Sequence, residues 1–124
     1  MDILKIRDGL MEGWQWRTKD GVWLDPAKMA TSHLFYTLRM IWNNTMPAVA
    51  RVGEVKLYVF GPTYTNEYLK RAVRQLAAEL GTRADIEAEH RRQLEAMLRW
   101  LETGQIQGAS HELSLIERGG KKGA

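Results

Sequence analysis

Apolar residues change their spacing several times along this chain, and each spacing predicts a different element. Between Trp14 and Leu24, runs rich in Trp, Thr and Val flank Asp20-Gly21, a strong signal for a two-residue type I′ turn and so for a β-hairpin. Pairing Lys19 with Val22 puts Thr18 opposite Trp23, and side-chain alternation then gathers Trp14, Trp16, Thr18 and Trp23 on one face. Such a face ordinarily packs on a helix as core, and in single-strand binders it serves instead as a stacking platform for a base.

The period then lengthens to that of a helix. Leu34, Leu38, Ile41 and Trp42 recur along one stripe, whereas Arg39, Asn43 and Asn44 are expected to point elsewhere. The start of this helix has two candidates, Asp25 with Pro26 in the first turn or Thr31 as N-cap, and Met46-Pro47 ends it. A second helix is predicted from a Thr63 or Thr65 cap to Gly81, with Leu69, Ala72, Val73, Leu76 and Leu80 as its apolar stripe. A third is expected from Asp85, with Glu87 and Glu89 in its first turns, to Gly104, and Ile86, His90, Leu94, Met97 and Leu101 line one side.

Between the first two helices, residues 55 to 60 (Val-Lys-Leu-Tyr-Val-Phe) alternate and run into Gly61-Pro62, which predicts a further strand. Leu113, Leu115 and Ile116 offer another short strand, for the sheet or a neighbouring subunit, before a tail over 117–124 that is expected to fray. The predicted fold class is α+β: a small antiparallel sheet, made of the N-terminal hairpin plus one or two strands, packed with three α-helices in a single domain spanning 1–124.

Composition narrows the function classes. A chain of 124 residues with 44% apolar and 27% charged residues holds one modest core. It has no cysteine, which removes disulfides, thiolate zinc sites and cysteine nucleophiles and favours a reducing compartment. Neither a signal peptide nor a membrane span is expected, because charges interleave the N-terminal apolar run and no uncharged apolar stretch is long enough. The net charge of +3 is spread along the chain, with eight basic against six acidic residues up to position 60 and ten against nine after it. That balance suits an anionic ligand. It is compatible with nucleic acid but lacks the dense basic stripe of a dedicated DNA-binding surface.

No catalytic constellation is legible. His33, His90 and His111 lack partners at metal-ligand spacing, so no metal or cofactor is expected, and a lone histidine on an apolar stripe such as His90 reads as a hydrogen-bonded core residue. Ser32, Ser110 and Ser114 sit in no nucleophile elbow, and Glu87 and Glu89 point to different sides of their helix. Lys70 and Arg74 share a helical face near Tyr64 and Tyr68, and beside a helix N-terminus they could receive a phosphate; the ordinary reading of such residues is a solvated face. The expectation is a binding protein, not an enzyme.

The hairpin-to-helix segment resembles a recurrent class of small phage and prophage proteins that carry Trp-x-Thr-x-Asp-Gly, an alternating strand, a methionine and His-Leu-x-x-Thr-Ile/Leu-Arg-Met. The matching residues are Trp16, Thr18, Asp20, Gly21, Leu24, Met29, His33, Leu34, Thr37, Leu38, Arg39 and Met40, about a fifth of the chain, and Asp25-Pro26-Ala27-Lys28 departs from the pattern. One similar group is the anti-Thoeris and anti-CBASS sponges, non-enzymatic phage proteins that sequester cyclic ADP-ribose isomers or cyclic oligonucleotides. The resemblance implies a cytoplasmic protein of an infected bacterial cell, a homo-oligomer holding a nucleotide signal between subunits.

Chemistry rather than a family motif then nominates the binding residues. Trp16, Tyr64 and Tyr68 are the stacking candidates, Arg17, Arg39, Lys70, Arg71 and Arg74 the phosphate candidates, and Asn43 or Asn44 the reader of a base or ribose edge. Two other readings stand beside it: a phage inhibitor or scaffold acting by protein contact, and a nucleic-acid-binding regulator.

Overall fold

A computed structural model describes residues 12–104. The expected strand at Leu113, Leu115 and Ile116, the tail over 117–124, and Ser110, His111 and Ser114 all lie outside the described residues. Within them the order is a two-stranded antiparallel sheet, β1 (Trp16–Arg17) and β2 (Trp23–Leu24), then α1 (Thr31–Thr45), α2 (Asn66–Leu80) and α3 (Ala88–Thr103). The fold is a small α+β arrangement in which the hairpin and three helices enclose one core.

The hairpin register differs from the expected one by a single residue. Trp16 pairs with Leu24 and Arg17 with Trp23, so the loop holds three residues, 19–21, rather than two. Its geometry explains the change. Thr18 N–H donates to the Val22 carbonyl at 2.8 Å and Gly21 N–H to the Thr18 carbonyl at 2.9 Å, while Gly21 takes φ +84°, the left-handed position that closes a three-residue loop. The Thr18 hydroxyl takes the Val22 N–H at 3.1 Å and fixes this alternative. A one-residue slip turns side chains over. Trp16 is therefore buried with Leu24 packed beside it, and Trp23 leaves the aromatic face for the opposite one, where it is 54% exposed.

Both candidate helix starts are used, for different elements. Asp25 Oδ1 accepts the Ala27 N–H at 3.0 Å and caps a short 3₁₀ turn over Pro26–Lys28. The α-helix proper begins at Thr31, with Ala30 in the cap position, so Thr31 is the first helical residue and not its N-cap. Its hydroxyl serves a tertiary contact instead, donating to Asp85 Oδ1 at 2.7 Å. Leu34, Leu38, Ile41 and Trp42 are all fully buried, each worth about 1.5–3 kcal/mol of transfer free energy on the usual scale. Trp42 keeps its indole N–H satisfied by the Ala50 carbonyl at 2.7 Å.

The second helix matches its expected cap: Thr65 Oγ1 accepts the Tyr68 N–H at 3.0 Å, and Gly81 closes the other end. All five residues of its predicted stripe are buried against α1. The third helix starts at Ala88, three residues beyond the expected Asp85, because the Asp85 carboxylate is bound to Thr31 rather than to its own helix start. It ends before Gly104 as the sequence indicates, and it adds Leu94, Met97 and Leu98 to the core.

Residues 55–60 do not form the expected strand of the sheet. Side chains occupy the backbone groups that would have joined the two. On β1, the Tyr68 hydroxyl accepts the Arg17 N–H and donates to the Gln15 carbonyl, and the Tyr64 hydroxyl donates to the Arg17 carbonyl at 2.7 Å. Two phenols, one just before α2 and one in its first turn, thus cap the outer edge of the hairpin. On the other segment, the carboxamides of Asn43 and Asn44 take the backbone. Asn43, expected to point away, is consequently buried at 1% exposure.

One arginine ties the hairpin end to the helices. Arg83, just past α2, donates to the carbonyls of Met29, Pro26 and Ala27, to the Thr31 hydroxyl and to the Glu79 carboxylate. The planar guanidinium suits such a clamp because its N–H groups diverge in fixed directions.

Candidate functional site

A groove of about 430 Å³ lies between α1 and the extended segment that follows it, lined by Tyr36, Arg39, Met40, Asn43, Glu54, Lys56 and Tyr58. Two periodicities meet there. Positions 36, 39, 40 and 43 are the i, i+3, i+4 and i+7 face of the helix, and 54, 56 and 58 are alternate residues of an extended chain. The groove wall is held by the two asparagines. Asn43 Nδ2 donates to the Val52 and Glu54 carbonyls and its Oδ1 accepts the Val52 N–H. Asn44 Nδ2 donates to the Met40 and Lys56 carbonyls and its Oδ1 accepts the Tyr58 N–H. A backbone N–H can face only the amide oxygen, so both amide orientations are determined.

The basic groups of the groove are Arg39 and Lys56. Among the described residues neither forms an ion pair. The Arg39 guanidinium carbon lies 5.2 Å from the Tyr36 ring centroid and 5.4 Å from that of Phe35, and Nη1 donates to Gln93 Oε1 at 3.1 Å. Gln93 in turn donates to Glu89, whose carboxyl is held below the ordinary carboxylate range first by the hydrogen bond from Arg92 and then by that from Gln93. Behind Arg39, Gly53 has φ +64°, and a Cβ there would lie 2.5 Å from Arg39 Nη1 and 2.6 Å from Gln93 Oε1. Glycine at 53 is what lets the loop close over this arginine.

Tyr36 and Tyr58 stand at the groove 49% and 55% exposed, unusually open for aromatic side chains. Two rings, an arginine and a lysine around one hollow can sandwich a planar ring and neutralise a phosphate. The groove's carboxylate is Glu54, which leaves a formal excess of one positive charge among its lining residues.

The ten residues nominated from the sequence fall into three places. Arg39, Asn43 and Asn44 belong to the groove or its wall, although both N–H groups of each asparagine are spent on backbone carbonyls, so the amides shape the groove and have no N–H left for a base edge. Trp16, Arg17, Tyr64 and Tyr68 form the hairpin seat. Trp16 is buried and stacks on Tyr68 with centroids 5.8 Å apart and planes 11° from parallel, and both phenol hydroxyls are bonded to the β1 backbone. Burial raises the Tyr68 hydroxyl above its ordinary value, with the Arg17 N–H acting the other way. Lys70, Arg71 and Arg74 lie on α2; Lys70 and Arg74 are exposed, and Arg71 pairs loosely with Glu67 at 3.9 Å.

Tyr36, Lys56 and Tyr58 were not among the nominated residues. The alternation Glu54-x-Lys56-x-Tyr58 against Val55-x-Leu57-x-Val59 carries the signal, since it puts the polar set on one side of an extended chain. His90 takes its expected place in the core by stacking and not by the expected hydrogen bond: among the described residues its ring has no hydrogen-bond partner, the residue is 8% exposed, and the ring stacks on Phe35 at 4.0 Å. Among the described residues no cluster of histidine and carboxylate side chains could hold a metal ion, and no helix is long and apolar enough to cross a membrane. No protein-family model matches the chain, and neither a curated protein nor a solved structure matches it.

Proposed function

We propose that this protein binds a phosphorylated nucleotide signal in the groove between α1 and residues 54–58 and holds it without cleaving it. The observation that carries the reading is the pairing of two cations free of carboxylate partners among the described residues, Arg39 and Lys56, with two half-exposed tyrosines around one hollow. Its volume falls within the range of about 300–1,000 Å³ usual for small-molecule sites. Arg39 is already held by Gln93 and the Phe35 and Tyr36 rings, so a phosphate meets a prepositioned guanidinium and less side-chain entropy is lost on binding.

The resemblance of residues 16–40 to small phage proteins supplies the biological setting: an anti-defence sponge in the cytoplasm of an infected bacterium, with a cyclic ADP-ribose isomer or a cyclic oligonucleotide as ligand. Protein contact is the second reading, favoured by Val55, Leu57 and Val59, which stand exposed along one segment.

The test is a thermal-shift screen of the purified protein against cyclic ADP-ribose isomers, cyclic dinucleotides and cyclic trinucleotides, followed by mass spectrometry of the recovered ligand. A raised melting temperature with the ligand returned intact is expected. No shift across the panel, or a ligand returned cleaved, overturns the proposal.

A further inference from the structure

Among the described residues the wall of the groove is itself an unpaired edge. In an extended chain the N–H and C=O of one residue point the same way and those of the next point the opposite way. Asn44 takes the Lys56 carbonyl and the Tyr58 N–H, so the even-numbered groups here face the protein body and those of Val55, Leu57 and Val59 face outward. Among the described residues nothing bonds the backbone of these three. Their side chains are exposed as well, at 40%, 64% and 99%. The hairpin edge is capped by Tyr64 and Tyr68, whereas no described residue protects this edge in that way.

We infer that residues 55–59 pair antiparallel with the same residues of a second copy of the chain, about a two-fold axis at Leu57. A closed two-fold contact puts one patch against itself, which for a strand means antiparallel pairing. Centred at Leu57, every outward group finds a partner: Leu57 opposes Leu57 of the second copy and Val55 opposes Val59, in three pairs that exchange about six hydrogen bonds.

Neighbouring registers are poorer. Sliding one strand by a single residue calls on the groups that Asn44 already holds, an axis at Lys56 sets lysine against lysine and leaves Val59 without a partner, and an axis at Tyr58 leaves Val55 without one. Centring on Val55 draws in Gly53, whose φ of +64° leaves the extended range, and centring on Val59 draws in Gly61, next to Pro62. The chosen register also sets Lys56 opposite Tyr58 of the second copy, a cation against an aromatic ring, and opposes no like charges. Because Lys56 and Tyr58 line the groove, this pairing joins the grooves of the two copies along one face of the ribbon. The pairing follows from the backbone alone and does not rest on the ligand reading.

The absence of cysteine from the chain makes the register directly testable. Multi-angle light scattering should find a dimer for the full chain and a monomer for Leu57→Pro, which removes an outward N–H and touches no group used by Asn44, with the circular dichroism spectrum unchanged. In the Leu57→Cys protein the two sulfurs meet on the axis and form an intermolecular disulfide under mild oxidation, while Val59→Cys, four positions from its own copy across the axis, cross-links far more slowly. A monomeric wild-type chain, a dimer that survives Leu57→Pro, or equal cross-linking from positions 57 and 59 overturns the inference. Seating of the edge by another part of the same chain appears as the monomeric outcome.

Discussion

Asn44 holds Tyr58 by its backbone, its side-chain oxygen accepting the Tyr58 N–H at 2.7 Å across fourteen residues of sequence. With the Lys56 carbonyl bonded to the same carboxamide, one side chain does for this segment what a neighbouring strand would do. Asn44→Ala is expected to cost about 1 kcal/mol, since the freed groups are exposed enough to find water, and to speed amide exchange at Tyr58 without affecting the core helices. Asn43→Ala should cost more, about 2–3 kcal/mol, because that amide is buried and three bonds go with it. Urea unfolding and hydrogen exchange on the two variants check both values.

Gly53→Ala should strain the loop at its positive φ and push a Cβ into Arg39 and Gln93, for a loss of about 1–3 kcal/mol. The expected signature beyond stability is weaker ligand binding, because the arginine that lines the groove is the group displaced. Thermal unfolding and calorimetry together read the two effects.

Arg83→Ala removes four hydrogen bonds that join the end of α2 to the 3₁₀ turn and the start of α1, with a fifth to Glu79 of its own helix, and is expected to destabilise by about 2–3 kcal/mol. Lysine should not rescue it, since a single ammonium cannot reach diverging carbonyls. Denaturant midpoints of the alanine and lysine variants decide the point.

Tyr68 gives a pH dependence of defined sign. Its hydroxyl is raised above the ordinary 10.0, mainly by burial, so the folded state keeps the phenolic proton after the unfolded chain has begun to lose it. The contribution is complete below pH 10.0 and is lost as pH rises from there through the folded value. Tyr68→Phe should lower stability at neutral pH, through loss of the bonds to Gln15 and Arg17, and flatten the fall above pH 10.0. Urea titrations across that range compare the two proteins.

Much of the helical frame was legible in the sequence because it depends on local chemistry. The stripe from Leu34 to Trp42, the Thr65 cap and the glycines at 81 and 104 act within a few residues of themselves. The sequence announces the hairpin but not its register, since Asp20-Gly21 serves a three-residue loop as readily as a two-residue one, and the Thr18 hydroxyl tips the balance. The alternation at 55–60 predicts a third strand, and the structure forms none there. Asparagine side chains took the place of a strand, and no local pattern announces that. Of the groove's lining, the sequence singles out only residues of the helical side, Arg39 and Asn43, whereas Lys56 and Tyr58 acquire meaning when α1 is laid beside them.

The most direct measurement is titration calorimetry of the full chain with cyclic ADP-ribose isomers and cyclic dinucleotides, run in parallel on the wild type and on the Arg39→Gln, Lys56→Gln double variant. The expected result is saturable binding by the wild type to at least one of these compounds, weakened in the double variant by tenfold or more, equivalent to at least about 1.4 kcal/mol, with folding retained. Equal affinity in the two proteins, or no binding heat from any compound, would contradict a nucleotide site in this groove.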